Sequence, residues 1–250
     1  MKAIFVFDVD GTLTPCRKNI DKETHDFLQE IRKSYPVAIV GGSDLNKIAE
    51  QLANHDKTKL TTEYDYVFSE NGMVGFHGEK ELPTHSIHEK LGEEKLQKLI
   101  NFTLNYFSNI TLPVKRGNFI EFRKGMLNLS PIGRSCSQEE RDNFVIYDAE
   151  HGIREKFVKA LEAEFSSFGL TFAVGGQISV DAYPNGWDKT FCLQYFADQY
   201  ERIYFFGDKT APGGNDHAIF VDPRTIGHTV AGPSDTRQQV SKALEELKTI

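Results

Sequence analysis

Ile4-Phe5-Val6-Phe7-Asp8-Val9-Asp10-Gly11-Thr12 runs from a wholly apolar stretch into two carboxylates separated by one residue. A short apolar run bounded by turn residues reads as a buried strand. In an open α/β sheet, ligands gather in the crevice beyond the strand carboxyl ends. Asp8 and Asp10 therefore predict a strongly negative site that takes a divalent cation and a phosphate. A solvated turn would also use Asp and Gly. It gives no reason for a second aspartate and a threonine directly after an apolar strand.

Working outward, residues 21–34 read as an amphipathic helix and 36–40 as a buried strand closing in Gly41-Gly42-Ser43. A helix over 44–53 and a strand over 64–68 follow, and 54–63 reads as a variable loop. This βαβαβ alternation predicts a parallel sheet. Near residues 79–83 the pattern changes. A long helix over 89–107 leads into strands at 119–123 and 126–129. A helix over 153–168 and strands at 170–174 and 178–182 come next. Lys124-Gly125 and Gly175-Gly176 sit between paired strand candidates, as antiparallel hairpins require. After Pro184-Asn185-Gly186 the α/β rhythm returns, with a helix over 188–196, strands at 203–206 and 226–230, and a C-terminal helix from about residue 234. The simplest architecture is an α/β, Rossmann-like parallel-sheet core in residues 1–81 and 187–250, interrupted by an α+β cap in 82–186.

The 250 residues suffice for one large or two ordinary domains, and the formal net charge of −7 comes with no basic run. That argues against nucleic acid or an anionic membrane surface as main partner. Cys16, Cys136 and Cys192 are widely spaced and odd in number, which fits neither a disulfide framework nor a zinc site. No apolar run reaches membrane-spanning length, and no secretory signal is visible. A cytosolic protein with reduced thiols is expected.

Four segments end at or just beyond predicted core strands. The first supplies Asp8 and Asp10. The second, Val40-Gly41-Gly42-Ser43, offers a hydroxyl and backbone N–H groups to a phosphate oxygen, or alternatively a helix N-cap serine. The third, Trp187-Asp188-Lys189, places a lysine that can neutralise a phosphoryl group and a carboxylate nucleophile together. The fourth is Phe205-Phe206-Gly207-Asp208-Lys209-Thr210-Ala211-Pro212-Gly213-Gly214-Asn215-Asp216, where an apolar strand again ends in an acid and a second acid follows across a Gly-rich loop. Magnesium keeps several waters, so a few acids plus substrate phosphate satisfy it. For Asp216 a plain loop role stays open.

These motifs, in this order, resemble the haloacid dehalogenase superfamily of phosphotransferases. The resemblance implies that Asp8 is the nucleophile and forms an aspartyl-phosphate, and that Asp10 is the general acid and base. It also implies roles for Ser43 and Lys189 in catalysis, and for Asp8, the Asp10 backbone carbonyl and Asp208 in holding Mg²⁺.

Arg116, Arg123, Arg134 and Arg141 recur in the insert of an otherwise acidic chain. Guanidinium groups grip phosphate bidentately. The blocks GNFIEFRKGMLNLSPIGRSCSQEER and GGQISVDAYPNGWDK, with FDVDGTLT and FFGDKTAPGGNDHAIF, resemble the eukaryotic-type phosphomannomutases over essentially the whole chain. That resemblance implies substrate binding by Arg17, Arg123, Arg134, Arg141, Ser179 and Asp181, and a second cation site at Phe220, Asp222 and Thr225. It further implies interconversion of mannose 6-phosphate and mannose 1-phosphate, a hexose 1,6-bisphosphate activator, supply of GDP-mannose synthesis, and a homodimer through the caps. Hexose phosphates would be the small-molecule partners. The chemistry agrees with a mutase, because a bisphosphate needs a second anion site and protection of the aspartyl-phosphate from water. The rival expectation is a sugar-phosphate phosphatase of the same superfamily.

Overall fold

The structure, a computed structural model, describes residues 2–249 and divides into two compact units, Met1–Thr84 with Gly186–Ile250, and His85–Asn185. In chain order the first unit opens with β1 (Ala3–Phe7), α1 (Lys22–Arg32), β2 (Val37–Val40), α2 (Leu45–Ala53), α3 (Lys57–Glu63), β3 (Tyr66–Ser69), β4 (Val74–His77) and β5 (Lys80–Glu81). The second unit holds α4 (Ile87–Leu91), α5 (Glu93–Asn109), β6 (Ile120–Phe122), β7 (Leu127–Leu129), α6 (Gln138–His151), α7 (Ile153–Glu164), β8 (Leu170–Gly175) and β9 (Ser179–Pro184). β10 (Arg202–Gly207), α8 (His217–Val221), β11 (Ile226–Thr229) and α9 (Pro233–Thr249) complete the first.

The first unit is an α/β core on a seven-stranded sheet of order β11-β10-β1-β2-β3-β4-β5. The first five of these strands run parallel. β4 and β5 add an antiparallel edge that the apolar-run reading did not anticipate. β1 is central and buried at every position. Phe5 and Phe7 stack on Tyr204 and Phe206 at 5.1 and 5.2 Å. That side forms one core layer, with Leu28 of α1, Leu52 of α2 and Val240 of α9. Ile4 and Val6 point the other way, into a second layer with Phe68, Leu193, Phe205 and Ile219. Covering both faces explains why these strands read as unbroken apolar runs. In register, Phe7 lies opposite both Phe206 and Ile39. The carboxyl ends of β10, β1 and β2 therefore emerge side by side.

Four expectations differ from the structure. Residues 54–63 are not all loop: Asp56 accepts the Lys59 N–H as N-cap and α3 follows. The helix expected over 89–107 is two helices, because Gly92 sits at φ +76°, outside helical space. α6 had no counterpart in the sequence reading. The segment 188–196 winds as 3₁₀ turns at Lys189–Tyr195 and Ala197–Gln199, not as an α-helix. Lys189 and Cys192 are buried three residues apart there, the spacing at which 3₁₀ side chains align.

The second unit is an antiparallel sheet of order β6-β7-β9-β8 with helices against it. The first hairpin turn contains Lys124-Gly125 as predicted, and the second begins at Gly176, with Gly175 closing β8. Aromatic side chains join the helices to one another: Phe157 of α7 lies 4.7 Å from Phe107 and 4.8 Å from Tyr106 of α5. Cross-strand register sorts the residues into rows. Phe122, Leu127, Ala182 and Phe172 form an apolar row, whereas Glu121, Asn128 and Asp181 form a polar one. Successive residues face opposite sides of a strand, so the polar row stands on the other face from its apolar neighbours.

Candidate active site

Asp8 follows directly from β1, and its N–H donates to the Phe206 carbonyl of β10 at 3.0 Å. Asp208 follows β10. Asp216 follows the Gly-rich loop and accepts the Lys209 N–H at 3.0 Å. One carboxylate oxygen from each of Asp8, Asp208 and Asp216 lies within 4.8 Å of the others. Among the described residues this is the acidic cluster able to hold a metal ion. Lys189 is fully buried and donates to both Asp8 and Asp216. Gly11 makes room for the group: at φ +79° it favours glycine, and a Cβ there would collide with the Asp208 carboxylate.

Three carboxylates surround one ammonium, so the cluster is short of positive charge. Burial pushes the Asp8 carboxyl up to about 7; Lys189 opposes this, and Asp216 and Asp208 add to it. Burial also raises the Asp208 carboxyl. For Lys189 burial pulls downward, but Asp8 and Asp216 outweigh it and hold the ammonium protonated well above its usual range. Asp208 Oδ1 is buried and without a hydrogen-bond partner. An orphaned carboxylate oxygen beside two more acids fits a hard divalent cation. Asp216 fills the third acid place, and the loop alternative for it falls away.

Asp10 is half-buried and held differently. Its Oδ1 accepts the Arg17 backbone N–H at 2.6 Å and the Gln51 Nε2–H at 2.9 Å. Both of these donors go to Oδ1. Arg17 contributes its backbone here, at φ 60°, while its side chain is exposed. Ser43 is not the N-cap of α2; Asp44 is, accepting the Lys47 N–H. Ser43 thus precedes the helix, at the end of β2, with its carbonyl accepting the Glu70 N–H at 2.9 Å.

Sequence reasoning missed Gln51 and Asn71. Gln51 is 1% exposed and also donates to Thr14 Oγ1 and the Lys18 carbonyl. Its inward position on α2 gave only an ordinary helical signal. Asn71 donates its N–H to the Gly41 carbonyl and has a buried Oδ1 with no partner. The Asn-Gly pair after the third strand was the available clue.

In the second unit the structure brings five expected residues together around Asn128 and Glu121. Asn128 is 5% exposed. Its Oδ1 accepts from Arg134 Nη1 at 2.7 Å and from the Ser179 hydroxyl at 2.9 Å, and its Nδ2 donates to Asp181 at 2.6 Å. Arg123 donates through Nε and Nη2 to Glu121 Oε2 at 2.8 and 2.6 Å. Arg134 Nε lies 3.1 Å from the same oxygen. Arg141 donates to the Arg134 carbonyl at 2.7 Å. Burial raises the Asp181 carboxyl, opposed by the Asn128 hydrogen bond and the arginines. Neither Asn128 nor Glu121 was a sequence candidate, because each matters only through cross-strand register.

Phe220 lies in α8, and Asp222 and Thr225 lie in the turn that follows it. Arg224 donates to both Asp222 oxygens, at 2.8 and 2.7 Å, and Thr225 Oγ1 donates to the Ile219 and Asp222 carbonyls. None of the three joins the acidic cluster.

A central parallel strand ending in Asp-x-Asp, a buried lysine and two further acids after the neighbouring strand define an α/β core of the haloacid dehalogenase type. Solved structures share that fold: the IMP-bound, N-terminally truncated IMP-nucleotidase of Plasmodium falciparum aligns with TM-score 0.62 at 16% identity, over 98% of this chain and 68% of that one. The trehalose-6-phosphate phosphatase of Aspergillus fumigatus aligns with TM-score 0.55 at 18% identity, over 96% and 92%. More particularly, the chain belongs to the eukaryotic phosphomannomutase family, whose pattern it matches over residues 24–246. It is 62% identical to a probable phosphomannomutase of Caenorhabditis elegans over 98% of this chain and 97% of the relative. It is 56% identical to the phosphomannomutase of Glycine max over 94% of each.

Proposed function

We propose that this protein is a Mg²⁺-dependent phosphomannomutase that interconverts mannose 6-phosphate and mannose 1-phosphate, with a hexose 1,6-bisphosphate as activator. One observation carries the reading: Asp8 stands at the end of the central strand with its carboxylate held by a fully buried lysine. Family membership supports the same activity.

Asp8 attacks phosphorus, the bond from phosphorus to the sugar oxygen breaks, and Asp10 protonates the leaving oxygen. In the second half Asp10 takes the proton from a sugar hydroxyl as that oxygen recovers the phosphoryl group from Asp8. One carboxyl group serves both directions, as general acid–base catalysis requires. The aspartyl-phosphate divides the transfer into two easier steps. Lys189 neutralises Asp8 and the incoming phosphoryl oxygens, and the Ser43 hydroxyl binds one of them. Asp8, Asp208 and the Asp10 carbonyl, supported by Asp216, would hold Mg²⁺, which when bound supplies positive charge to the phosphoryl group.

The distal phosphate belongs to Arg123, Arg134 and Arg141, with Arg17 as a further contact. Ser179 and Asp181 take sugar hydroxyls. Phe220, Asp222 and Thr225 remain a second-cation proposal supported by family resemblance alone. In this reading the first unit is the core and the second the cap, and the protein is a cytosolic homodimer through its caps that supplies GDP-mannose synthesis. Incubation with mannose 1-phosphate and Mg²⁺, with and without glucose 1,6-bisphosphate, tests the activity. Activator-dependent mannose 6-phosphate is expected; free phosphate alone, independent of activator, makes the protein a phosphatase instead.

A further inference from the structure

We propose that Glu121 is a built-in competitor of phosphate, an internal counter-ion that occupies Arg123 and Arg134 whenever no phosphoryl group does. This rests on the reading that those arginines hold the distal phosphate. A single oxygen, Glu121 Oε2, receives Arg123 Nε and Nη2 and lies 3.1 Å from Arg134 Nε. One anionic oxygen facing two guanidinium groups is the arrangement a phosphate oxygen takes. All three side chains keep solvent contact, at 34% exposure for Glu121, 24% for Arg123 and 26% for Arg134. An incoming anion can therefore reach them, and the internal pair exchanges with it.

The surroundings separate competition from mere support. Arg134 does not depend on Glu121 for its place: Asn128 Oδ1 accepts its Nη1, and Arg141 ties its backbone carbonyl. Asn128, which is buried and also fixes Ser179 and Asp181, is the positioning residue of this face. Glu121 stands beside Asn128 in the same cross-strand row and adds negative charge where an anion is to bind. A carboxylate in that place lowers anion affinity, since phosphate either displaces it or is repelled by it.

A mutase gains from that. Each phosphate of the bisphosphate occupies the arginine site in turn, so the site has to release as readily as it binds. A site that bound every phosphate tightly would lower KM and slow turnover together, because ground-state affinity does not raise kcat.

The test uses the full chain labelled with ¹⁵N, reading the Nε–H resonances of Arg123 and Arg134 during titration with inorganic phosphate. In Glu121→Gln phosphate should bind at least about fivefold more tightly at these resonances than in the wild type. KM and kcat for mannose 1-phosphate should both fall. Glu121→Asp, which keeps the charge, should stay within about twofold of the wild type. Glu121→Ser replaces the glutamine variant should that one misfold by thermal melting. Unchanged or weaker phosphate binding in the neutral variant, with clear shifts in the wild type, overturns the competitor role and leaves the arginine reading intact. Resonances that phosphate moves in neither protein overturn the arginine reading itself.

Discussion

The two charged regions of this protein are built on opposite principles. In the first unit the cluster of Asp8, Asp208, Asp216 and Lys189 is largely buried, carries more acid than base, and gathers at the ends of parallel strands. In the second unit the arginines face partial solvent, with Glu121 and Asp181 as counter-ions on one side of an antiparallel sheet. Burial fixes groups and shifts their proton affinities, which suits making and breaking covalent bonds. Solvent contact keeps ion pairs weak and exchangeable, which suits a group that binds and leaves. The contrast teaches that the two regions differ in burial as much as in the sign of their charge.

That contrast can be broken or sharpened by experiment. Asp8→Asn is nearly isosteric and removes the carboxylate charge that is proposed to attack phosphorus and that pairs with Lys189. Mutase activity should drop by about 10⁴-fold or more while the protein stays folded. Retention of normal turnover would remove the chemistry from the buried cluster altogether. Lys189→Met leaves Asp8 and Asp216 without their cation and should cost about 3–5 kcal/mol of stability. On a chain of this size that is a fall in Tm of roughly 10 °C, read by calorimetry.

Magnesium should act in the opposite sense. At about 100 times its dissociation constant it should stabilise the wild type by about 2.7 kcal/mol and Asp208→Asn far less. Equal stabilisation of both proteins would place the cation elsewhere. In the second unit, Arg141→Ala should raise KM about 10- to 50-fold. Tm should stay put, since the half-buried Arg141 side chain donates one hydrogen bond to a backbone carbonyl.

The smallest effect concerns His228, stacked 4.7 Å from Phe206. Burial lowers its proton affinity. The unfolded chain therefore binds the proton more readily, so His228 contributes its full stability above about pH 6.5 and loses it as the pH falls through the folded value. His228→Phe should flatten that part of the Tm profile, by less than about 1 kcal/mol. An unaltered acid limb would mean the ring titrates as it does in water.

What the sequence made legible follows the same division. Parallel strands covered on both faces read as apolar runs, and acids at their ends stood out because nothing apolar explains them. The order of Asp8, Ser43, Lys189 and Asp208 was visible without coordinates. α3 was hidden because Leu60 and Thr61 are its only buried residues. α6 buries Phe144 alone, too little apolar rhythm to read as a helix. Gln51 looked like any polar helical residue until α2 turned it toward Asp10. Glu121 and Asn128 acquire meaning only from strand register, which links residues far apart in the chain. Asp216 was legible as the second acid of the last motif, but its pairing with Lys189 was not.

One feature of the topology bears on how the molecule is made. β1 lies between β2 and β10, yet β10 begins at Arg202. At ordinary ribosomal rates of about 5–20 residues per second, roughly 10–40 s separate synthesis of β1 from synthesis of its second neighbour. Through that interval a wholly apolar strand has an open edge, and Asp8 lacks the lysine that lies 181 positions further on. The second unit, continuous from His85 to Asn185, can fold while the first waits. The nascent chain is thus exposed to strand-edge association until nearly its whole length has been translated.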